Sequence, residues 1–447
     1  MPRGIIVALL VAVPLVFGAT SARAEPTTPQ TIPADPHAID PSAPALAQAA
    51  RLLAAGQLDD ARQLVVGLSD AGVGGTERDF LDGMISYAGR DYRRAEAMFR
   101  RILDRDPRLL RVRLELARTL YMERKDDQAD YHFRLAAAER PSLTVTRNIV
   151  RFREAIRARR SWRFNFDFGF APDSNINSAT DKETIDIYGL PFQLDPTGRA
   201  HSGTGRFVGG DASVRLNRSG KVPIYVAGYG RWLSHKDHRF DDSYAGGEAG
   251  PEFGLAGGRL RTTATGLMRW YGRRPLVASF GARLDYDRIV GDRWTLEGAL
   301  MLRHNDYARR SDVDGWDAEA LISANRPLGL TTLGFGYASI QRNWANDAGQ
   351  AFWREQVGIG VLKEIGWGLR PQLRVDLGRQ VGDGPLAPFG KQRRDWLLQG
   401  NFSLYKRDWN LGGFAPSLSL TMTRNFSTLP LYDQKRLRAE VRLTRAF

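Results

Sequence analysis

From Trp162 onward the chain alternates. Trp162, Phe164, Phe166, Phe168 and Phe170 stand at every second position, with Arg163, Asn165, Asp167 and Gly169 between them. A two-residue period sends all five aromatics to one face of a strand. The pattern returns at Val222, Ile224, Val226 and Trp232; at Leu260, Ala264, Met268 and Trp270; and at Ala278, Phe280, Ala282, Leu284 and Tyr286. Later runs are Trp294, Leu296, Leu300 and Leu302; Trp316, Ala318, Ala320 and Ile322; and Trp353, Val357, Ile359 and Val361. Leu369, Leu373, Val375 and Leu377 follow, then Trp396, Leu398, Phe402 and Leu404, then Phe414, Leu418, Leu420 and Met422, and last Leu437, Ala439, Val441 and Leu443. With weaker stretches near 207–216, 244–255 and 333–340, this predicts about fourteen strands.

Ahead of residue 161 the period is helical. Ala61, Ala95 and Ala129 recur at intervals of 34 residues, as do Val65, Phe99 and Phe133, and Leu68, Ile102 and Ala136. Pro107 and Pro141 close the second and third units, and Gly83 and Ala117 supply the small residue of each first helix. That spacing is the tetratricopeptide pattern: small residues let paired helices approach, and large apolar ones form a buried stripe. The first unit is degenerate. A further helix near 145–160 carries Arg147, Arg151, Arg153, Arg157, Arg159 and Arg160 against a single acid, Glu154. It reads either as a solvated face or as a basic collar at a membrane surface or pore mouth.

The boundaries expected are therefore a helical repeat domain over 45–160 and a strand domain over 161–447. Residues 25–44, with prolines at 26, 29, 33, 36, 41 and 44, form a flexible leader. Residues 1–24 read as a signal peptide. Arg3 precedes the apolar run from Ile5 to Phe17, and Ala22-Arg23-Ala24 offers a cleavage site before Glu25.

Export decides how composition is read. Hydrophobic content of 43% and mean hydropathy of −0.37 suit a soluble protein and a membrane barrel equally, because barrel strands keep every second residue polar. The formal charge of +14 then points to anionic lipid or an acidic client rather than nucleic acid. The absence of cysteine excludes disulfides, thiolate metal sites and a lipid-modified N-terminus.

A closed barrel is favoured over a sandwich for three reasons. Aromatics gather near strand ends, as membrane interfaces require. Short links (Asn217 to Lys221, Gly291 to Arg293) alternate with extended ones (Ala171 to Arg206, Ser234 to Asp242, Gly378 to Arg394). The last amphipathic strand ends in Phe447, like an insertion signal. The fold class expected is α+β multidomain: a helical solenoid followed by a transmembrane antiparallel barrel.

Candidate chemistry is sparse. His235 and His238, with Asp237 and Asp241, offer a weak metal set in one loop. A lipid hydrolase would need Ser and His facing lipid on adjacent strands, and no histidine stands clearly at such a position. No catalytic residue, cofactor or metal is expected, and the chain is not expected to be an enzyme.

The most distinctive segment is Asp173-Ser174-Asn175-Ile176-Asn177, directly after the first strand. Near the C-terminus stand Asn425, Ser427, Tyr432, Arg436 and Phe447. With the repeats and barrel, these two motifs make the chain resemble the surface lipoprotein assembly modulator (Slam) family, the type XI secretion translocons. The resemblance implies a fourteen-stranded outer-membrane barrel with a periplasmic repeat domain, which moves surface lipoproteins or secreted proteins outward. The partners expected are the client, a periplasmic chaperone, the barrel assembly machinery and outer-membrane lipid, with the protein itself a monomer. The family often has more helical repeats than this chain. Two other readings stay open, a polysaccharide exporter or passive channel and a host-interaction barrel acting through its external loops.

Overall fold

The computed structural model describes residues 44–70, 75–139, 141–159, 162–187, 189–216, 222–291, 294–365, 367–406, 409 and 414–446. The expected signal peptide, almost all of the leader, Arg160 and Phe447 lie outside them, as does the 217–221 link.

Among the described residues seven helices come first: α1 (Pro44–Ala54), α2 (Leu58–Asp70), α3 (Gly75–Ala88), α4 (Tyr92–Arg105), α5 (Leu110–Met122), α6 (Asp126–Ala138) and α7 (Leu143–Arg159). The 34-residue spacing has a direct packing cause. Ala95, Phe99 and Ile102 of α4 and Ala129, Phe133 and Ala136 of α6 are all fully buried, in one core with Ala117 of α5. Gly83 of α3 faces Phe99, and a Cβ there would stand 2.6 Å from the ring. The Asp91 carboxylate caps α4 by accepting from the Arg94 amide at 3.2 Å. Pro107 follows the end of α4, and Pro141 stands between α6 and α7, where no helical N–H is needed. α1 and α2 form a second small core with Leu81 and Ile85 of α3.

Sixteen strands follow. β1 (Trp162–Asp173) leads to a small hairpin of β2 (Thr184–Ile187) and β3 (Leu190–Gln193). Then come β4 (Gly203–Leu216), β5 (Ile224–Ser234), β6 (Asp242–Leu255), β7 (Gly258–Tyr271), β8 (Arg274–Val290), β9 (Trp294–Tyr307) and β10 (Gly315–Pro327). The last are β11 (Thr332–Ala345), β12 (Phe352–Lys363), β13 (Leu369–Leu386), β14 (Lys391–Lys406), β15 (Ala415–Ser427) and β16 (Gln434–Ala446). All but β2 and β3 pair antiparallel with their neighbours, and β1 pairs with β16 to close a fourteen-stranded barrel.

The two-residue period is what makes this a membrane wall. On β12, Trp353, Val357, Ile359 and Val361 point outward and are exposed on the protein surface, while Arg354 and Gln356 point inward and bond lumen partners. All ten tryptophans lie on the barrel in two belts. Trp162, Trp294, Trp367 and Trp409 stand at the end where β1 begins, and Trp232, Trp270, Trp316, Trp344, Trp353 and Trp396 toward the other. Such belts mark the two interfaces of a bilayer. No helix among the described residues is long and apolar enough to cross a membrane.

Three expectations need correction. The Gly378 to Arg394 segment is not an extended loop: β13 and β14 run on past the membrane and turn tightly at residues 387–390. Inward Gly378 and Gln380 still alternate with outward Arg379 and Val381 there, so periodicity continued while hydrophobicity faded, and hydrophobicity was the signal read. The long link after β1 is shorter than expected at both ends, spanning residues 174–202 and holding the β2–β3 hairpin. Finally, a histidine does face lipid. His304 of β9 sits between Phe280 (5.4 Å) and Trp316 (5.3 Å), opposite Trp316 in the ladder. It was missed because a polar residue ends the apolar run of β9.

Candidate functional site: the lumen, its inner mouth and its seam

The helical array sits against the barrel end where β1 begins. α5 is buried along most of its length, including Arg113, Glu115 and Arg118. Glu115 is held inside the array by Arg111 and Arg118, each at 2.8 Å. Arg113, in contrast, reaches out of the array. Its guanidinium, wholly buried, pairs at 2.8 Å with Glu364 in the link between β12 and β13. It also donates to the Pro107 carbonyl at 2.6 Å and lies 3.1 Å from Nδ1 of His132. Arginine has no acceptor, so that imidazole nitrogen must be unprotonated and accepting. Burial drives the His132 pKa well below the usual imidazole value; Arg113, Arg370 and Arg100 push the same way, against Glu364. Arg370 of β13 completes the clasp, 3.7 Å from Glu364 and 4.2 Å above the Tyr131 ring.

α6 and α7 cover the opening beside this clasp. Arg134 donates to Asn325 of β10 at 3.2 Å. A polar cavity of about 470 Å³ separates Asp130, Arg134 and Arg153 of the helices from Arg163, Arg259 and Arg283 of the barrel wall. The basic collar expected on α7 is thus partly spoken for: Arg153 is bound to Asp130 at 2.7 Å, whereas Arg151 is exposed. The side chains of Arg157, Arg159 and Arg160 lie outside the described residues.

Inside the barrel, several carboxylates are tightly paired. Glu252 is ringed by Arg215 (2.8 Å), Arg259 and Arg261 (each 3.8 Å). Asp376, fully buried, accepts from Tyr337 at 2.8 Å and pairs with Arg374 at 3.0 Å. Asp317 joins Arg303 at 3.2 Å and Gln341 at 2.6 Å. In a low-dielectric wall such pairs hold strands in register, and removing one partner strands the other.

The two motifs, about 260 residues apart in sequence, meet at the closing seam at the far end. Arg436 of β16 forks onto the buried Asp173 carboxylate of β1, with contacts of 2.9 and 3.0 Å. Asp173 in turn accepts from the Asn175 amide at 2.9 Å. The Asn175 side chain donates to the carbonyls of Ala179 (2.7 Å) and Lys435 (3.1 Å), so it ties the loop to β16. Ser174 Oγ accepts from the Leu437 amide at 2.8 Å, and Asn177 pins the returning chain through Arg199 and His201. Ile176 packs on Gly203. Asn425 donates to Asp395 (3.2 Å) and the Tyr432 carbonyl (2.7 Å), Ser427 caps the next turn at Leu429, and Arg393 stacks 3.7 Å over Tyr432. Two more pairs cross the seam from inside, Arg442 to Asp167 (3.6 Å) and Arg231 to Glu440 (2.9 Å).

The β2–β3 hairpin lies over this rim. Its Ile185 packs with Leu386, Phe389 and Leu429, the tips of the β13–β14 and β15–β16 hairpins. In the His235 loop, Asp241 accepts from the His235 amide (2.8 Å) and engages His238 and Arg273 (3.1 and 3.0 Å). Among the described residues no three His, Asp or Glu gather as a metal set. The sequence motifs therefore located the seam, but nothing in the sequence reading located the Arg113–Glu364 clasp.

A closed antiparallel barrel with a greasy wall, two tryptophan belts and an ion-paired interior defines a membrane-spanning barrel of the outer membrane, here with a helical array against one mouth. The particular family follows from comparison. The surface lipoprotein assembly modifier profile matches residues 162–447, the entire barrel, and the chain belongs to that family. Surface lipoprotein assembly modifier 1 of Haemophilus influenzae is 22% identical over 367 residues, covering 78% of this chain and 73% of that one. The Neisseria meningitidis protein of the same name is 24% identical over 386 residues (82% and 75%). The hemophilin secretion modulator of Acinetobacter baumannii is 21% identical over 373 residues (78% and 75%). The outer membrane protein OpdK of Pseudomonas aeruginosa aligns loosely, at 12% identity and a TM-score of 0.36 over 64% of this chain and 99% of that one.

Proposed function

We propose that this protein is an outer-membrane translocator that takes surface lipoproteins or secreted proteins from the periplasm and delivers them to the cell surface or beyond. The helical array faces the periplasm and receives the client; the barrel is the route; no covalent chemistry is involved. The names of the relatives support the client class. The observation that carries the reading is the placement of the array: it is clasped to the barrel rim through Arg113 and Glu364 and covers the mouth that a client would have to enter. A passive pore would have little use for such a cover. Client handling thus begins with the array moving aside, and transport draws on client folding outside, since no nucleotide-binding motif is present.

The test is deletion of the gene, with surface exposure and medium content of co-expressed lipoproteins and small secreted binding proteins followed by protease shaving. Loss of display of at least one client, restored by the intact gene, is expected. Unchanged display of every candidate would refute the proposal, and a large steady conductance of the pure protein in planar bilayers would favour the channel reading.

A further inference from the structure

Toward the end away from the helices, the outward face of the wall carries arginines on three successive strands. The outward parity of β13 runs Leu373, Val375, Leu377 and then Arg379; that of β14 runs from Leu398 through Trp396 to Arg394; that of β15 runs Leu420, Met422 and then Arg424. The ladder sets Arg379 opposite Trp396 and Leu398 opposite Arg424, with Arg394 two residues before Trp396 on the same face. Three guanidiniums therefore surround one exposed indole. Arg379 lies 5.8 Å over Trp396, and Arg424 lies 4.4 Å over Phe426. Arg424 pairs with Asp433 at 2.7 Å, and Arg394 donates to Gln392 at 2.9 Å. Among the described residues neither Arg379 nor Arg394 has a carboxylate within ion-pair distance; Glu355 is the nearest acid by register, opposite Arg379. Two strands beyond β13, Arg342 of β11 lies between Trp344 and Trp353 and is paired with Asp383 at 2.6 Å.

Depth fixes the chemistry. Ten residues separate Leu369, at the helical end of β13, from Arg379. At ~3.3 Å per residue and a tilt of ~40° that is ~25 Å, the height of the apolar band, so Arg379 stands at the headgroup layer of the far leaflet. The opposite wall at that level presents Trp232, Trp270, Phe280 and Trp316 with a single outward cation, Arg206. Outward arginines are densest on the strands around Trp396, where three stand on β13, β14 and β15.

We propose that this arginine cluster on β13–β15 is a docking site for the phosphate groups of lipopolysaccharide in the outer leaflet, with Trp396 packing against the glycolipid at the acyl boundary. Guanidiniums fork onto phosphate, aromatic rings favour the interface, and the site carries two arginines with no acid to satisfy them. The assignment of the leaflet rests on the orientation proposed above, which protease accessibility of the helical array in intact cells reports separately from any lipid binding.

The experiment uses the full-length protein in detergent, titrated with lipopolysaccharide bearing bisphosphorylated lipid A, with the same lipid after enzymatic dephosphorylation, and with phosphatidylglycerol. Binding is read by native mass spectrometry and tryptophan fluorescence. The phosphorylated glycolipid should bind about tenfold more tightly than either of the others. The triple variant Arg379→Gln, Arg394→Gln, Arg424→Gln should lose that preference, while Arg206→Gln keeps it. Heat-modifiable gel migration reports folding; should the triple variant not fold, Arg379→Gln and Arg394→Gln taken singly should each weaken binding about threefold. Equal binding by folded variant and wild type, equal affinity for phosphatidylglycerol, or the same loss from Arg206→Gln would each overturn the proposal.

Discussion

Replacing Glu364 by Ala should loosen the helical array from the barrel without unfolding either part. Arg113 is fully buried and Glu364 nearly so. After the substitution Arg113 keeps only neutral acceptors, the Pro107 carbonyl and His132, and Arg370 loses an anion at 3.7 Å. Stranding a buried guanidinium in this way costs ~3–5 kcal/mol. The cost falls on the docked state alone, because an undocked array hydrates Arg113. The docked-to-undocked ratio should therefore fall by about a hundredfold to a few thousandfold, at a factor of ten for every ~1.4 kcal/mol. The chain has no cysteine, so one introduced thiol reports docking cleanly. In a Tyr131→Cys background, at a position buried against Arg370, maleimide labelling should accelerate about a hundredfold when Glu364→Ala is added. The double replacement Arg113→Met with Glu364→Leu exchanges the pair for apolar groups of similar volume and should return labelling to near the starting rate. Labelling no faster with Glu364→Ala, or equally fast in the double variant, would refute the clasp.

Four other outcomes are expected. Asp173→Asn should lower the unfolding temperature of the barrel in detergent, as removal of a charged hydrogen-bonded pair costing ~1.5–3 kcal/mol requires, and Asp173→Glu should recover part of it. Gly83→Val should destabilise the helical array by ~1–3 kcal/mol through overpacking on Phe99, seen in the thermal melt of its circular dichroism. Burial, then the hydrogen bond to Glu96, pushes Glu123 up to about 7, so its contribution is complete below its unfolded value near 4.5 and is lost as pH rises through 7; Glu123→Gln should flatten array stability across that window, and an unchanged slope there would refute the assignment. A thiol crosslink between Tyr131→Cys and Arg370→Cys should stop client export, whereas a disulfide between Phe168→Cys and Leu443→Cys should leave it intact.

Much of the fold was legible because the bilayer enforces a simple code. Phe164, Phe168 and Phe170 cannot face water, and Asn165 and Asp167 cannot face lipid, so alternation reports both the strand and its orientation. The helical repeat was legible for a similar reason, since Ala95 and Phe99 recur wherever helices must approach. The seam motif was visible as residues but not as geometry. Asp173 and Arg436 are far apart in sequence, and only closure of the ring puts them together. The clasp was invisible for a stricter reason. Arg113 stands among Val112, Leu114 and Leu116, where a charged side chain reads as solvent-facing, and Glu364 lies in a turn, where an acid is unremarkable. Neither residue carries a pattern of its own. The outward arginines escaped because an apolar run that ends in Arg379 or Arg424 reads as the end of the wall rather than as its upper edge.

A client crossing the membrane has two boundaries to contend with, the inner mouth and the β1–β16 seam, and their costs differ. Parting the mouth from its cover breaks the Arg113–Glu364 pair and a few polar contacts and lets water hydrate the freed charges, so its cost is of the order of the ~3–5 kcal/mol of one buried pair. Parting the seam breaks a ladder of seven described residue pairs, against twelve between β1 and β4; two of the positions it skips are Ala171 and Pro172, the latter without an N–H. Those amides would open into hydrocarbon, where each unmade hydrogen bond costs ~4–6 kcal/mol. Arg436–Asp173, Arg442–Asp167 and Arg231–Glu440 would have to part as well. The seam is thus dearer by tens of kcal/mol, more than contacts with a client could supply without replacing the lost hydrogen bonds strand for strand. On the proposed function, the array, held by the Arg113–Glu364 clasp and a few polar contacts, is the part expected to move, and a lock on it should be felt by every client.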